Sequence, residues 1–389
     1  MKKKIAILGS TGSIGKSTLS IISKNIKDFE IILLSTNKNI KEIDKQCKKF
    51  KPKFIIINDS DSYKKFVRNK KYNFQVFNSY KGISRLKKKV DYTISAVSGF
   101  DGLEPTLKIL PFSKTVAIAN KESLICGWNL IKKEIVKHKI NFIPIDSEHF
   151  SIFKLLESHK LKEIKKIYIT ASGGPFLKLS KKQLSKVTPR DALKHPKWKM
   201  GKKISVDSAT LMNKMLELIE AQKLFNLPIH KLEILIHPDS LVHAILELKN
   251  GLTKFIYHKT SMIIPLANAI FDDNLDINEF LNLKKDKEFK DLNFKKINTD
   301  IFPIFKIKNR LNEYPSTSVI INASNEILVD QFLYKNLPFL AINKIILAIL
   351  KDRNYKNYAI RKPNNLKQIN IVDKWARNIT LKKIKSYAL

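Results

Sequence analysis

Near the start of the chain an apolar, strand-like run from Lys4 to Leu8 leads into Gly9-Ser10-Thr11-Gly12-Ser13-Ile14-Gly15, and a helical pattern follows from Ser17. Three glycines in this one turn constrain the fold more than any other feature. A turn free of Cβ atoms between a buried strand and a helix is how a parallel α/β sheet opens around a bound anion. The chain has only 11 glycines in 389 residues, and most of the others also cluster, at Gly99 and Gly102, Gly173 and Gly174, and Gly201. Such clustering marks places where backbone must approach closely or turn sharply.

The alternation begun there continues. Glu30 to Ser35, Lys53 to Ile57, Tyr92 to Ala96, Thr115 to Ala119 and Asn141 to Pro144 read as further strands. Ser17 to Lys24, Ile40 to Phe50, Pro105 to Leu110 and Ser123 to Lys137 read as the helices between them. This order specifies parallel pairing with helices on both faces, so residues 1–146 are expected to form a Rossmann-like, doubly wound domain. Beyond Ser147 the pattern loosens. It gives a helix (Phe150 to Ser158), a strand (Lys166 to Ala171), a polar loop (Arg190 to Gly201), a helix (Ala209 to Phe225) and strands at Glu233 to Ile236, Ala244 to Leu248 and Thr253 to Tyr257. Residues 147–271 are therefore expected as a central α+β domain whose sheet is the place for a subunit contact. Residues 272–300 read as a connecting arm. Residues 301–389 read as a helical bundle, with main segments Ser316 to Tyr334, Ala341 to Leu350 and Val372 to Ile384.

A net charge of +38 invites a nucleic-acid reading, but of the 73 basic residues only seven are arginine, and the lysines are spread along the whole chain. Arginine is the side chain that reads bases and phosphates in bidentate fashion. No nucleic-acid partner is expected, and the charge is read as attraction for an anionic substrate or cofactor. No window approaches the ~20 apolar residues of a membrane span, and Met1-Lys2-Lys3-Lys4 runs directly into the first strand without a cleavage pattern. The expectation is a cytoplasmic protein without a membrane partner. Cys47 and Cys126 stand in no ligand spacing.

The glycine turn can present bare amides and a positive helix end to a pyrophosphate. At the end of the second strand, where an NAD enzyme usually has Asp or Glu, the chain has Ser35-Thr36-Asn37-Lys38-Asn39, which suits a 2′-phosphate and favours NADPH. Asp146 and Glu148 flank Ser147 after the strand Asn141 to Pro144. In extended backbone residues i and i+2 share a side, so both could reach one hard cation such as Mg²⁺ or Mn²⁺. Asn213, Lys214 and Glu217 share one face of a helix whose start is marked by Asp207-Ser208, making Glu217 a third candidate. Taken singly, each of these acids reads better as a solvated surface residue, and it is the company of the motifs that follow that gives them weight. Thr170-Ala171-Ser172-Gly173-Gly174-Pro175 ends a strand in an anion-binding nest. His195-Pro196-Lys197-Trp198-Lys199-Met200-Gly201 is either a lid whose tryptophan closes over substrate or a loop that the tryptophan pins to the core, and the residues leave both open.

Taken together, GSTGSIG at 9–15, ANKES at 119–123, PIDSEH at 144–149, SGGPF at 172–176, HPKWKMG at 195–201, KISVDSATLMNK at 203–214, LIHPDS at 235–240 and NASNE at 322–326 resemble the 1-deoxy-D-xylulose 5-phosphate reductoisomerase family. The resemblance covers nearly the whole chain. It implies a homodimeric, NADPH-dependent enzyme requiring Mg²⁺ or Mn²⁺, with Co²⁺ as a further option. Its substrate would be a small sugar phosphate, isomerised and reduced to 2-C-methyl-D-erythritol 4-phosphate for isoprenoid synthesis. Thr11, Gly12, Ser13 and Ile14 would hold the pyrophosphate, Asn37, Lys38 and Asn39 the 2′-phosphate end, and Asn120, Glu122 and Gly201 the rest of the cofactor. Asp146, Glu148 and Glu217 would ligate the metal. Ser147, Ser172, His195, Ser208, Asn213, Lys214 and Glu217 would bind substrate, with Lys121 near its reacting carbon–oxygen groups. Asp146, Glu148, Glu217 and Lys121 would thus carry the catalysis, and Trp198 and Met200 the lid. Two positions depart from the family pattern: Asn37 and Met215 stand where glycines are usual. The alternative that shares the N-terminal motif is another NADPH-dependent sugar-phosphate dehydrogenase.

Overall fold

The computed structural model of the chain describes residues 2–68, 74–198, 200–271, 275–281 and 291–387. It divides into two compact units. The first comprises Met1–Leu124, Trp128–Asp146 and Met262–Lys287, and the second Ile125–Gly127, Ser147–Ser261 and Glu288–Leu389.

The first unit is built on seven strands: β1 (Lys3–Leu8), β2 (Phe29–Thr36), β3 (Phe54–Ile57), β4 (Gln75–Phe77), β5 (Val90–Ser95), β6 (Ser113–Ile118) and β7 (Asn141–Pro144). They are ordered β4-β3-β2-β1-β5-β6-β7, and every pairing is parallel. Helices cover both faces of a parallel sheet, which is why Ile5, Ala6, Ile7 and Leu8 are all buried with no polar alternation. Strand order reverses at β1, so the crevice at the carboxyl ends of β1 and β5 is the topological switch point. The glycine turn stands there. The first helix (Ser13–Lys24) starts inside the turn, four residues earlier than its periodicity suggested. Six strands were legible; β4 is three residues long at the sheet edge, too short to carry a period.

The helix Ile263–Phe271 belongs to this unit rather than to the sheet that precedes it in sequence. Leu266, Ala267 and Ile270 join a core with Ile5, Ile21 and Ile22, and Phe271 meets Phe29 edge to face at 5.5 Å. An apolar run carries no mark of which sheet it will cover. Within the connecting segment 272–300, residues 272–274 and 282–290 lie outside those described.

The second unit holds β8 (Ile164–Ala171), β9 (Leu232–Ile236), β10 (Val242–Leu248) and β11 (Thr253–Tyr257), ordered β11-β10-β8-β9. β8 and β9 run parallel, and β10 is antiparallel to both β8 and β11. The helix expected over Ala209 to Phe225 starts at Met212 (Met212–Phe225); a separate helix, Lys202–Ala209, precedes it, and the break falls at Leu211, which takes left-handed backbone (φ 65°). Leucine rarely adopts that conformation, and its fully buried side chain holds it there. The C-terminal helices Thr317–Leu333, Phe339–Ile349 and Leu366–Tyr387 pack on one another. Asn325 donates to the buried Asp207 carboxylate at 2.7 Å, tying the first of them to the helix Lys202–Ala209.

Candidate active site

In the first unit two of the three glycines of the turn, Gly9 and Gly15, answer a steric demand. Gly9 has φ 77°, and a Cβ there would stand 2.6 Å from the Ala96 carbonyl oxygen at the end of β5. A Cβ on Gly15 would stand 2.5 Å from the Gly9 carbonyl oxygen. Gly12 caps the helix without a side-chain hydrogen bond, so the first amides of the helix have no intrahelical acceptor and face outward with the positive helix end. Thr11 shares a 2.8 Å hydroxyl hydrogen bond with Thr36, and Gly9 donates its N–H to Ser35 Oγ at 2.9 Å, so the end of β2 fixes the turn.

The residues after β2 are exposed. Asn39 caps the helix Ile40–Phe50 by accepting from Glu42, and Lys38 Nζ lies 3.9 Å from Asp59 Oδ1. Asp59 is a neighbour that sequence reasoning missed; the Ser62 N–H holds its carboxyl below the usual range. Asn37 does not take positive φ, so this turn needs no glycine for its conformation.

Asn120 and Lys121 open the helix Lys121–His138. The Asn120 side chain caps that helix at Ser123 and donates to the carbonyls of Val97 and Gly99, which positions the segment after β5. Lys121 Nζ reaches Asp146 Oδ2 at 2.8 Å with both side chains largely buried.

In the second unit the helix Ser147–Leu156 begins at once after Asp146, so Glu148 lies in a first helical turn and not on the extended backbone that the spacing suggested. Lys214 Nζ stands between two carboxylates, 2.6 Å from Glu148 Oε1 and 2.7 Å from Glu217 Oε2. Ser147 Oγ donates to Glu148 Oε2 at 2.5 Å, and Asn213 donates to Glu217 Oε1. Glu217 is 1% and Glu148 9% exposed, so these charges are stable only because a cation and hydroxyl or amide donors surround them. Leu211's turn and the one helical face together present Asn213, Lys214 and Glu217 to Glu148. Met215 is fully buried.

Ser172 and His195 form a second cluster, with the Ser208 backbone beside Gly174. His195 Nδ1 accepts from the backbone N–H of Trp198 at 2.9 Å, leaving the ring proton on Nε2, which faces Ser172 Oγ at 3.0 Å. Ser172 Oγ also accepts from the Gly174 N–H at 3.1 Å, so its own proton is available to an incoming anion. Gly173 and Gly174 both have positive φ, and a Cβ on Gly174 would press on the Ser208 backbone at 2.9 Å. Burial, then the nearby Lys214, pushes the His195 imidazole down to about 4, so it is a neutral donor at physiological pH. Gly201 caps the helix Lys202–Ala209 and is exposed, with nothing near its missing Cβ.

Sequence reasoning missed three histidines here. His149 Nε2 lies 2.9 Å from the Glu217 carbonyl oxygen, and its Nδ1 is 3.5 Å from the buried Glu220. His243 Nδ1 lies 3.9 Å from Glu148 Oε1, and Trp198 meets its ring edge on. His258 stacks on His243. His149 follows Glu148 directly and could have been noticed; the others come together only through sheet register.

Three family models for 1-deoxy-D-xylulose 5-phosphate reductoisomerase match the chain: one for the reductoisomerase itself over residues 5–127, and two for its C-terminal domains over 142–225 and 258–379. The chain belongs to the 1-deoxy-D-xylulose 5-phosphate reductoisomerase family. The reductoisomerase of Pelagibacter ubique is 47% identical over 382 residues, covering 94% of this chain and 96% of that one. That of a Wolbachia from Culex pipiens is 37% identical, covering 99% and 98%. Among solved reductoisomerase structures, one in complex with NADPH, fosmidomycin and magnesium superposes with a TM-score of 0.90 at 32% identity, over 98% of each chain. The Zymomonas mobilis reductoisomerase in complex with NADPH gives 0.85 at 31% identity, over 99% of this chain and 100% of that one.

Proposed function

We propose that the protein converts 1-deoxy-D-xylulose 5-phosphate to 2-C-methyl-D-erythritol 4-phosphate, an isomerisation followed by a reduction, with NADPH and a divalent cation. The observation that carries this reading is the buried pair of carboxylates, Glu148 and Glu217, held together by the Lys214 ammonium. Two acids this deeply buried require positive charge between them, and their hard oxygen donors without sulfur fit Mg²⁺ or Mn²⁺, with Co²⁺ as a further option. Asp146 is the third ligand in this reading, because it precedes the Glu148 helix by a single residue. The bound cation supplies a Lewis acid for the sugar's carbonyl and hydroxyl oxygens, and NADPH supplies the hydride.

The chain's own groups do the rest. Glu148 and Glu217 would hold the cation, and Lys214 and Asn213, which now bind those two carboxylates, would face the substrate. Ser172, neutral His195 and Ser208 receive the phosphate, each offering a hydrogen-bond donor. Ser147 steadies Glu148, and Lys121 stands beside the reacting oxygens. Thr11, Gly12, Ser13 and Ile14 take the pyrophosphate; Asn37, Lys38 and Asn39 the 2′-phosphate end; Asn120, Glu122 and Gly201 the remaining cofactor contacts. Trp198 and Met200 close over the sugar and exclude water. The three-part division of labour (cofactor binding in 1–146, catalysis in 147–271, helical support in 301–389) belongs to the same proposal.

The protein works as a cytoplasmic homodimer in this reading. Supporting observations are Leu252 and Phe255, 57% and 47% exposed in and beside the edge strand β11, and the lack among the described residues of any helix long and apolar enough to cross a membrane. Product analysis tests the reaction: incubation of carbon-labelled substrate with NADPH and Mg²⁺ should give a branched polyol phosphate by NMR. A straight-chain reduced sugar phosphate would instead identify a plain dehydrogenase.

A further inference from the structure

We propose that His258 is a positioning residue for this site: it backs the ring of His243 and so fixes the surface on which Trp198 settles beside Glu148. The inference rests on reading the Glu148 corner as the sugar-phosphate site.

The hairpin of β10 and β11 contains a bulge. Val242 pairs with Tyr257 and Ala244 with Ile256, so His243 is the extra residue and leaves the ladder's alternation. Bulges next to active sites re-aim side chains in this way. The hairpin then continues beyond the bulge, with the His258 N–H donating to the Leu241 carbonyl at 2.9 Å. That hydrogen bond sets His258 alongside the displaced His243, ring centroids 3.9 Å apart and planes inclined by 17°. The His258 ring is itself pinned, since Nδ1 donates to the Lys259 carbonyl at 2.8 Å.

His243 also receives the Trp198 indole edge on, at 6.0 Å and 73°, and its Nδ1 is 3.9 Å from Glu148 Oε1. The Nε2 atoms of both histidines are buried without a hydrogen-bond partner among the described residues. No hydrogen bond at Nε2 therefore orients the His243 ring, and the flat face of His258 restricts its rotation. Burial, then His243, holds the His258 imidazole down to about 4, so it packs as an uncharged ring.

The test compares His258→Ala with His258→Phe, which restores a flat ring but no ring nitrogen. The first readout is acrylamide quenching of Trp198 in protein without substrate, metal or NADPH, isolated as the difference from the same protein carrying Trp198→Phe. His258→Ala should expose the indole to the quencher, and His258→Phe should match the unmodified protein. The second readout is steady-state kinetics with Mg²⁺. His258→Ala should raise the KM for 1-deoxy-D-xylulose 5-phosphate about tenfold with kcat little changed, as expected for losing one aromatic contact, and His258→Phe should recover it. Quenching unchanged in His258→Ala, or His258→Phe as impaired as His258→Ala, would overturn the proposal. Should the alanine variant not fold, His258→Leu takes its place in both arms, with the same expectations. Lack of turnover in the unmodified protein would defeat the functional reading alone, because the quenching arm still reads the stack.

Discussion

Lys214 is the residue on which the site's electrostatics turn. Its ammonium neutralises two buried carboxylates, and removing one partner of such an arrangement costs far more than the arrangement itself contributes. Lys214→Met should therefore lower stability by about 3–5 kcal/mol without metal, and millimolar Mg²⁺ should recover part of the loss. Denaturant melts with and without Mg²⁺ read this directly; a variant as stable as the parent and indifferent to Mg²⁺ would remove the carboxylate pair from the metal site. Glu217→Gln should lower Mg²⁺-supported turnover at least a hundredfold, on the order of what metal-site substitutions cost, while NADPH binding by fluorescence stays intact. The histidines add a pH dependence. His195 and His258 both titrate near 4 in the folded chain, well below the ordinary imidazole value of about 6.5. Between those values the unfolded chain binds more protons, so stability is fully present above about pH 6.5 and falls as pH drops toward 4. Replacing His258 by Phe should flatten that decline between pH 6.5 and 4.5 in melts taken across the range.

At the scale of elements, the turn from β1 into its helix ties fold to function, because the same missing Cβ atoms that let β1 and β5 lie side by side leave the amides bare. Gly9→Ala puts a Cβ against the Ala96 carbonyl at positive φ and should cost about 1–3 kcal/mol and most of the NADPH affinity, as titration and melting would show. Lys38→Ala, on an exposed position, should leave stability alone and raise the KM for NADPH but not for NADH. Strand, turn and helix at residues 4–24 were legible because their periods differ. The acids were legible as a motif yet not as geometry: Asp146-Ser147-Glu148 reads the same whether backbone continues extended or enters a helix, as it does. Leu211 illustrates a different limit, since a good helix former carries no local sign of the left-handed break that aims Asn213, Lys214 and Glu217 at Glu148. His243 and His258 were silent in sequence because a one-residue bulge, which no pattern announces, brings their rings into contact.

For the molecule as a whole, the cores of the two units are drawn from interleaved stretches of chain, with Met262–Lys287 returning to the first unit after the middle sheet is complete. Neither unit is a contiguous piece that could be cut out at residue 146 or 271. The four-stranded sheet ends in β11 with Phe255 and Leu252 exposed, and that edge is the contact surface of the proposed homodimer. Phe255→Glu should shift sedimentation toward a monomer of 44.9 kDa, whereas an unchanged mass would move the interface elsewhere. The central claim is that a cation held by buried carboxylates and NADPH held at the glycine turn act together on one sugar phosphate. The most direct measurement is NADPH oxidation at 340 nm with 1-deoxy-D-xylulose 5-phosphate, first after EDTA and then on titrating Mg²⁺. The account predicts no oxidation in EDTA, saturable recovery with Mg²⁺, and no recovery in Glu217→Gln. Oxidation that proceeds in EDTA at the Mg²⁺-saturated rate would contradict it.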